Sequence, residues 1–307
     1  MDALKLGLVK RLSRIPEYVP DWSKPILRPL SKIFTSIYRL IYSSIKEEKL
    51  VKTDKGPYIY VNYWDSVERE CANGTYERKY VDFFCSRIEE GDVVLDVGAY
   101  IGYFSLLASK RVSAEGRVYS FEPIPRNYER LMRNVKVNQA NNIRAYNLGL
   151  SDRDETSSFS VPREMPAESS LAGSWAEISG GIKLTKDTVK ARLMPFDQFY
   201  KDVGLSKVDV VKIDVDGAEL KVLKGMKNTL MNSTDIWLFL EVTPPLIKLL
   251  GGSVVDLVRL LVTCGFKAAY LIDSDWEINI SRLSDDDIVT TFGDVARNYI
   301  LRKGGIK

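Results

Sequence analysis

The stretch VVLDVGAYIGYF, residues 93–104, decides the fold. Its first half is an apolar run broken by one aspartate. Its second half is a glycine-bounded turn that passes into a helical pattern. We read a buried strand over 92–97, a turn from Gly98 to Gly102 and a helix from Tyr103 to about Lys110. Glycine adopts φ angles closed to other residues and lets a ligand approach the backbone. The helix start offers N–H groups with no intrahelical partner. Together these predict a nucleotide-like ligand. They do not complete a G-x-G-x-x-G fingerprint, because Tyr100 fills the middle position.

Outward from this stretch, strands and helices alternate. Strands are expected over 117–122, 143–150, 208–214, 236–242, 266–272 and 295–302, and helices over 125–138, 195–203, 217–231 and 253–264. Residues 151–193 read as irregular, with short β-like pieces such as 156–161. Alternation of this kind implies an α/β chain with a Rossmann-like, doubly wound, mostly parallel sheet. Ligands of such sheets bind beyond the carboxyl ends of the strands, near the switch in strand order. The positions to watch are therefore Asp96–Gly102, Glu122, Leu150–Asp152, Asp214–Glu219 and Glu241–Thr243.

Composition narrows the chemistry. A chain of 307 residues with 45% hydrophobic and 28% charged residues can bury a core without disulfides or metals. Cys71, Cys85 and Cys264 form no C-x-x-C, against a zinc finger, a redox motif or a secreted disulfide framework. The chain has no histidine, which removes histidine triads, H-E-x-x-H metalloproteases and histidine bases. Proton transfer falls to Asp, Glu, Lys, Tyr, Cys or solvent.

The first fifty residues carry ten Lys/Arg against five Asp/Glu, within a chain of net charge +3. We expect residues 1–55 to be a basic helical extension and 56–307 to be the main domain. Residues 29–46 place Leu30, Ile33, Phe34, Ile37, Ile41 and Ile45 on one helical face, after breaks at Pro20, Pro25 and Pro29. Such a helix either packs on its own domain or lies on an anionic membrane. No apolar run reaches spanning length and no cleavable leader is visible, so a cytoplasmic protein is expected, with peripheral membrane contact through 29–46 as an open alternative.

Two acids point to the ligand. Asp96, at a strand end beside the glycine turn, would repel a pyrophosphate and attract an ammonium or sulfonium. Glu122 ends the next strand, where acidic side chains grip a ribose diol. S-adenosylmethionine satisfies both.

DVGAYIG at 96–102, FEPIPRNYERLMRNVKVN at 121–138, NLGLSD at 147–152 and KIDVDGAELKVLKG at 212–225 resemble the FkbM-type methyltransferases, of the class I S-adenosylmethionine-dependent superfamily. GTYE at 74–77 and MPFDQF at 194–199 look like theirs too. The likeness covers about 56–245. It implies a class I sheet with its last strand antiparallel, and S-adenosylmethionine as cofactor. It also implies Asp96, Gly98, Ala99 and Gly102 around the methionine moiety, with Tyr100 of the same loop a further cofactor-binding candidate, Glu122 on the ribose, and Leu150, Ser151 and Asp152 beside the adenine. Asp214 would face the methyl-transfer region, with Glu77 reaching it from the N-terminal side. The chain departs from the family at Tyr100, where Asn is usual and better tolerates left-handed backbone.

Asp214 and Asp216 need separate readings. Asp216-Gly-Ala-Glu219 fits an N-cap with its acidic partner, a variant of the capping box. That leaves Asp214, with Glu241, as the candidate catalytic pair. Asp214 is either a general base or a residue that binds the sulfonium, and the sequence leaves both open. Magnesium held by the two aspartates and Glu241 is a further alternative; no metal is expected. The resemblance implies O-methylation of a hydroxyl on a sugar, glycolipid or small metabolite. RNA or protein as acceptor, an NAD(P)-dependent oxidoreductase and a non-catalytic membrane-surface protein are the alternatives. No motif for exocyclic amines of nucleic acids is present, and no basic patch with interleaved aromatics beyond the N-terminal helix, so nucleic acid is not expected. The irregular segment 151–193, with Trp175 and Gly180-Gly181, is expected either to form part of the acceptor pocket or to be a plain surface excursion.

Overall fold

The computed structural model describes residues 48–303, apart from 64, 163–166, 168, 172, 174–185, 273 and 294. The amphipathic pattern at 29–46, Trp175 and Gly180-Gly181 therefore lie outside the described residues.

The chain opens with a hairpin, β1 (Lys49–Lys52) and β2 (Tyr58–Val61), and two helices, α1 (Ser66–Asn73) and α2 (Arg78–Ser86). The boundary expected at residue 55 falls within that hairpin. Then follow β3 (Val93–Val97), α3 (Tyr103–Val112), β4 (Arg117–Phe121), α4 (Pro125–Val137), β5 (Ile143–Tyr146), β6 (Gly149–Leu150), β7 (Glu155–Pro162) and β8 (Lys186–Met194). Next come α5 (Phe196–Asp202), β9 (Val210–Ile213), α6 (Glu219–Gly225), α7 (Lys227–Asn232), β10 (Trp237–Val242), α8 (Pro244–Leu249) and α9 (Val254–Thr263). β11 (Ala269–Leu271), β12 (Trp276–Ile278), α10 (Asp285–Phe292) and β13 (Arg297–Arg302) complete the described chain.

The main sheet has the order β12-β11-β13-β10-β9-β3-β4-β5. β10, β9, β3, β4 and β5 run parallel, and β13 pairs antiparallel with β10. This is the expected doubly wound, mostly parallel sheet with its last strand reversed. Successive strand residues face opposite sides. Leu95, Val97, Val211, Ile213, Leu238 and Leu240 join one apolar layer with residues of α6 and α9. Val94, Val210 and Phe239 join the other, with Tyr80, Phe84, Phe104 and Leu107 from α2 and α3. Burying each such aliphatic or aromatic side chain contributes about 1.5–3 kcal/mol.

Three elements differ from expectation. The helix over 217–231 starts late and divides into α6 and α7 at Met226, where φ is −117°. The strand over 143–150 also divides: β5 stays in the main sheet, while β6 pairs with β8 in a second, three-stranded sheet. The segment read as irregular contributes β7 and β8 to that sheet, in continuous antiparallel register from Glu155↔Leu193 to Pro162↔Lys186. Its pattern is faint because few of its side chains are buried: Phe159, Val161, Ala191 and Leu193 form a small cluster with Ile124, and Pro162 and Met194 are buried at the strand ends.

Candidate active site

The chain builds β3, β4 and β5 in one direction, then returns to place β9 and β10 on the other side of β3. The carboxyl ends of β3 and β9 thus meet at the switch point, where open α/β sheets bind ligands. A cleft of ≈ 230 Å³ opens there, and Gly98, Tyr100, Glu122, Asp214, Asp216 and Glu241 all contribute to its lining.

The glycine loop forms one wall. Gly98 has φ 82°, and a Cβ on it would lie 1.8 Å from the Asp214 carbonyl oxygen. No other residue fits between the two strand ends. Tyr100 also has a positive φ, 50°, which costs a residue with a Cβ about 1–2 kcal/mol. Tyr100 thus holds a left-handed backbone that Asn tolerates better. Its amide donates to Glu122 Oε2 at 2.8 Å. Glu122 Oε1 accepts from the Ile124 amide at 2.9 Å and from Asn127 at 3.4 Å. Burial pushes the Glu122 carboxyl up to about 7, and these neutral donors only partly oppose it.

The opposite wall is held by a buried lysine. Sheet register sets Ser120, Asp96 and Lys212 side by side across β4, β3 and β9. Lys212 is 2% exposed. Its Nζ lies 3.0 Å from Asp214 Oδ2, 3.8 Å from Asp96 Oδ1 and 4.7 Å from the Phe104 ring centroid. Asp96 also accepts from Ser105 Oγ at 2.5 Å. Burial raises the Asp96 carboxyl despite Lys212 and Ser105. Asp214 behaves oppositely. Burial pushes it up, but the Lys212 charge and hydrogen bonds from Glu241 and Lys212 bring it below the usual range. Glu241 rises well above that range through burial, the Asp214 charge and its hydrogen bond to Asp214. Of this pair, Glu241 carries the proton and Asp214 the charge.

The sequence candidates are thus brought together unequally. Gly98, Tyr100, Glu122, Asp214 and Glu241 line the cleft. Asp96 lies one layer beneath, 1% exposed. Ala99 is buried in the loop, and Gly102 is the N-cap residue of α3. Glu77 precedes α2 and accepts from Asn298 at 2.7 Å. Leu150 and Ser151 are buried; the Ser151 amide donates to the Met194 carbonyl at 3.0 Å, and Asp152 accepts from Ser151 and Arg153.

The capping expectation for Asp216 is corrected. The N-cap of α6 is Ala218, and Asp216 stands in a turn at φ 45°. Gly217 follows it at φ 99°, so the backbone curls away before the helix begins. Glu219 does turn back, accepting from the Gly217 amide at 2.8 Å and from Thr243 Oγ1 at 2.9 Å. Sequence reasoning missed Lys212. The available signal was a single lysine in the fully buried strand VVKI, in register with an equally buried aspartate. Among the described residues, no group of three or more acids or cysteines is arranged to hold a metal ion.

The family model for the methyltransferase FkbM domain matches residues 96–268, more than half of the chain. The chain belongs to the FkbM methyltransferase family. The methyl donor of this family is S-adenosylmethionine, which is therefore the cofactor. The site residues fit it: a glycine turn with no room for a Cβ, a strand-end carboxylate at Glu122, and acids suited to a cationic ligand. Methyltransferase sdnD of Sordaria araneosa is 29% identical over 182 residues, covering 50% of this chain and 69% of that protein. The hexuronic acid methyltransferase AglP of Haloferax volcanii is 29% identical over 156 residues, 51% of this chain and 59% of its own length. The AMB antimetabolite synthetase AmbE of Pseudomonas aeruginosa is 31% identical over 186 residues, 49% of this chain but 8% of that protein. Among solved structures, the methyltransferase FkbM from Methylobacillus flagellatus KT aligns at 14% identity with a TM-score of 0.40, covering 92% of this chain and 60% of that one. Among the described residues of this FkbM-family chain, no helix is long and apolar enough to cross a membrane.

Proposed function

We propose that the chain transfers a methyl group to a hydroxyl of a sugar, glycolipid or small metabolite. The observation that carries this reading is the Asp214–Glu241 pair, two carboxyls lining the cleft with the Lys212 Nζ 3.0 Å from Asp214. When bound, S-adenosylmethionine supplies a methyl group already activated on a sulfonium.

In this reading Glu122 accepts the ribose hydroxyls, since each of its oxygens retains acceptor capacity beyond the bonds it makes. Asp214 keeps its charge beside the cleft, because Lys212 Nζ is fixed 3.0 Å away. That charge favours the cationic donor. It also takes the proton that the acceptor hydroxyl releases as its oxygen forms the new bond to carbon. With the donor bound, the methyl carbon would leave its sulfur, which would keep the electron pair of the C–S bond. Orientation supplies most of the rate, about 7–11 kcal/mol for well-placed reactants. The base adds roughly 10²–10⁴-fold.

The acids of the lining disfavour a phosphodiester acceptor, which supports a hydroxyl compound over RNA. A methyl-transfer screen with labelled cofactor against glycans, glycolipids, small alcohols and tRNA tests the reading. Label in one of the hydroxyl compounds is expected. Label confined to tRNA would overturn it.

A further inference from the structure

Ahead of the segment matched by the family model stand Asp65 and Glu68, at the start of α1. Both are buried, Glu68 completely at 0% exposure. A buried carboxylate is costly unless it is paired and hydrogen-bonded. Glu68 is both. Arg130 of α4 donates to it through two nitrogens, at 2.6 and 2.5 Å. The Asn62 amide donates to Oε2 at 2.6 Å. Arg130 is itself 4% exposed and forms an ion pair with Glu48 at 2.7 Å.

One further donor reaches this cluster, and it comes from the glycine loop. Tyr100 Oη donates to Glu68 Oε1 at 2.6 Å and approaches Asp65 Oδ2 at 3.3 Å. The same residue holds the positive φ at the loop apex and donates its amide to Glu122. A second tie runs alongside: Asn134 of α4 donates to the Ile101 carbonyl at 2.9 Å and accepts from the Tyr60 amide at 2.8 Å. The N-terminal hairpin and α1 thus grip the loop from behind at adjacent residues.

We propose that Glu68, fixed by Arg130, is a positioning residue for cofactor binding, anchoring the Tyr100 hydroxyl and so setting the loop apex and its contact with Glu122. A tyrosine can then serve where a short side chain is usual. The ring reaches across to a charged anchor, and that bond offsets the left-handed backbone. The proposal rests on the cofactor occupying the cleft beside Glu122.

The test is titration with S-adenosylhomocysteine, together with steady-state kinetics and thermal melting of the unliganded protein. Tyr100→Phe is the cleaner variant: it keeps the ring and removes only the hydroxyl, whereas replacing Glu68 strands Arg130. We expect Tyr100→Phe to weaken S-adenosylhomocysteine about 5–10-fold and to raise the KM for S-adenosylmethionine similarly, with kcat little changed, the pattern of lost binding. Glu68→Gln should weaken binding too, and Tyr100→Phe should add little on top of it, because the two act through one bond. Lower melting temperature with unchanged affinity in Tyr100→Phe would overturn the proposal, as would fully additive losses. Failure of the wild-type protein to bind S-adenosylhomocysteine would instead remove the cofactor placement on which it rests.

Discussion

Glu122 and Asp214 make a natural experiment. Each follows the last residue of a parallel strand, one on either side of β3, and both line the same cleft. Their surroundings differ in kind. Glu122 is held by two backbone amides and an asparagine, all neutral, and burial lifts it to about 7. Asp214 has Lys212 at 3.0 Å and a protonated Glu241 beside it, and it stays below the usual range. Fixed neutral dipoles orient a carboxyl without deciding its charge near neutrality. A buried cation decides the charge outright. One wall therefore suits neutral hydroxyls and the other presents a standing negative charge.

The largest expected effect is at the charged wall. Asp214→Asn keeps the shape and removes the charge. We expect kcat to fall about 10²–10⁴-fold, while S-adenosylhomocysteine, which lacks the sulfonium, binds within a few-fold of wild type. A raised KM for S-adenosylmethionine at nearly constant kcat would make Asp214 a cofactor-binding residue and assign the proton to another acceptor.

The neutral wall should respond to pH instead. The ionised Glu122 accepts ribose hydroxyls better than the protonated acid does. Affinity for S-adenosylhomocysteine should therefore rise with pH and level off above about 7. Below that it should fall towards the limit of about tenfold per pH unit, or about 1.4 kcal/mol. Calorimetric titration from pH 5.5 to 8.5 measures this, and Glu122→Gln should flatten the profile. A profile that keeps its slope in Glu122→Gln would move the titrating group elsewhere.

The two walls were not equally legible. Strand, glycine turn and the acids at strand ends follow from local periodicity, and residues 93–104 and Glu122 fall where that pattern puts them. Asp214 was singled out by what capping left unexplained, but its partner was not. Lys212 reads as an ordinary charge until sheet register sets it against Asp96 more than a hundred positions earlier. The Glu68–Arg130 pair has the same character: two charges far apart in sequence, each unremarkable alone. Asp216 misled because an acid before Gly-Ala-Glu satisfies the capping pattern, whereas the chain places a left-handed turn there and starts the helix later. β7 falls on the β-like piece read at 156–161, but β8 and its pairing do not show in the sequence, because a small sheet with few buried side chains carries little period-two signal.

The smallest effect extends the comparison to a third buried acid. Glu219 has 0% exposure and, like Glu122, neutral donors: the Gly217 amide at 2.8 Å and Thr243 Oγ1 at 2.9 Å. Burial raises its carboxyl to about 7 against these bonds. A folded-state pKa above the unfolded one means that the native protein binds the extra proton between about 4.5 and 7, so this group's contribution to stability falls as pH rises through that window. Thr243→Val removes one donor at nearly constant volume. At pH 8, where Glu219 is mostly ionised, the lost bond is to a charge and should cost about 1.5–3 kcal/mol. At pH 6, where it is mostly protonated, the cost should drop to about 0.5–1.5 kcal/mol. Urea denaturation of both proteins at the two pH values measures the difference. Equal costs would mean that Glu219 keeps one protonation state throughout, and that neutral donors can fix a buried carboxyl's charge as firmly as Lys212 fixes that of Asp214.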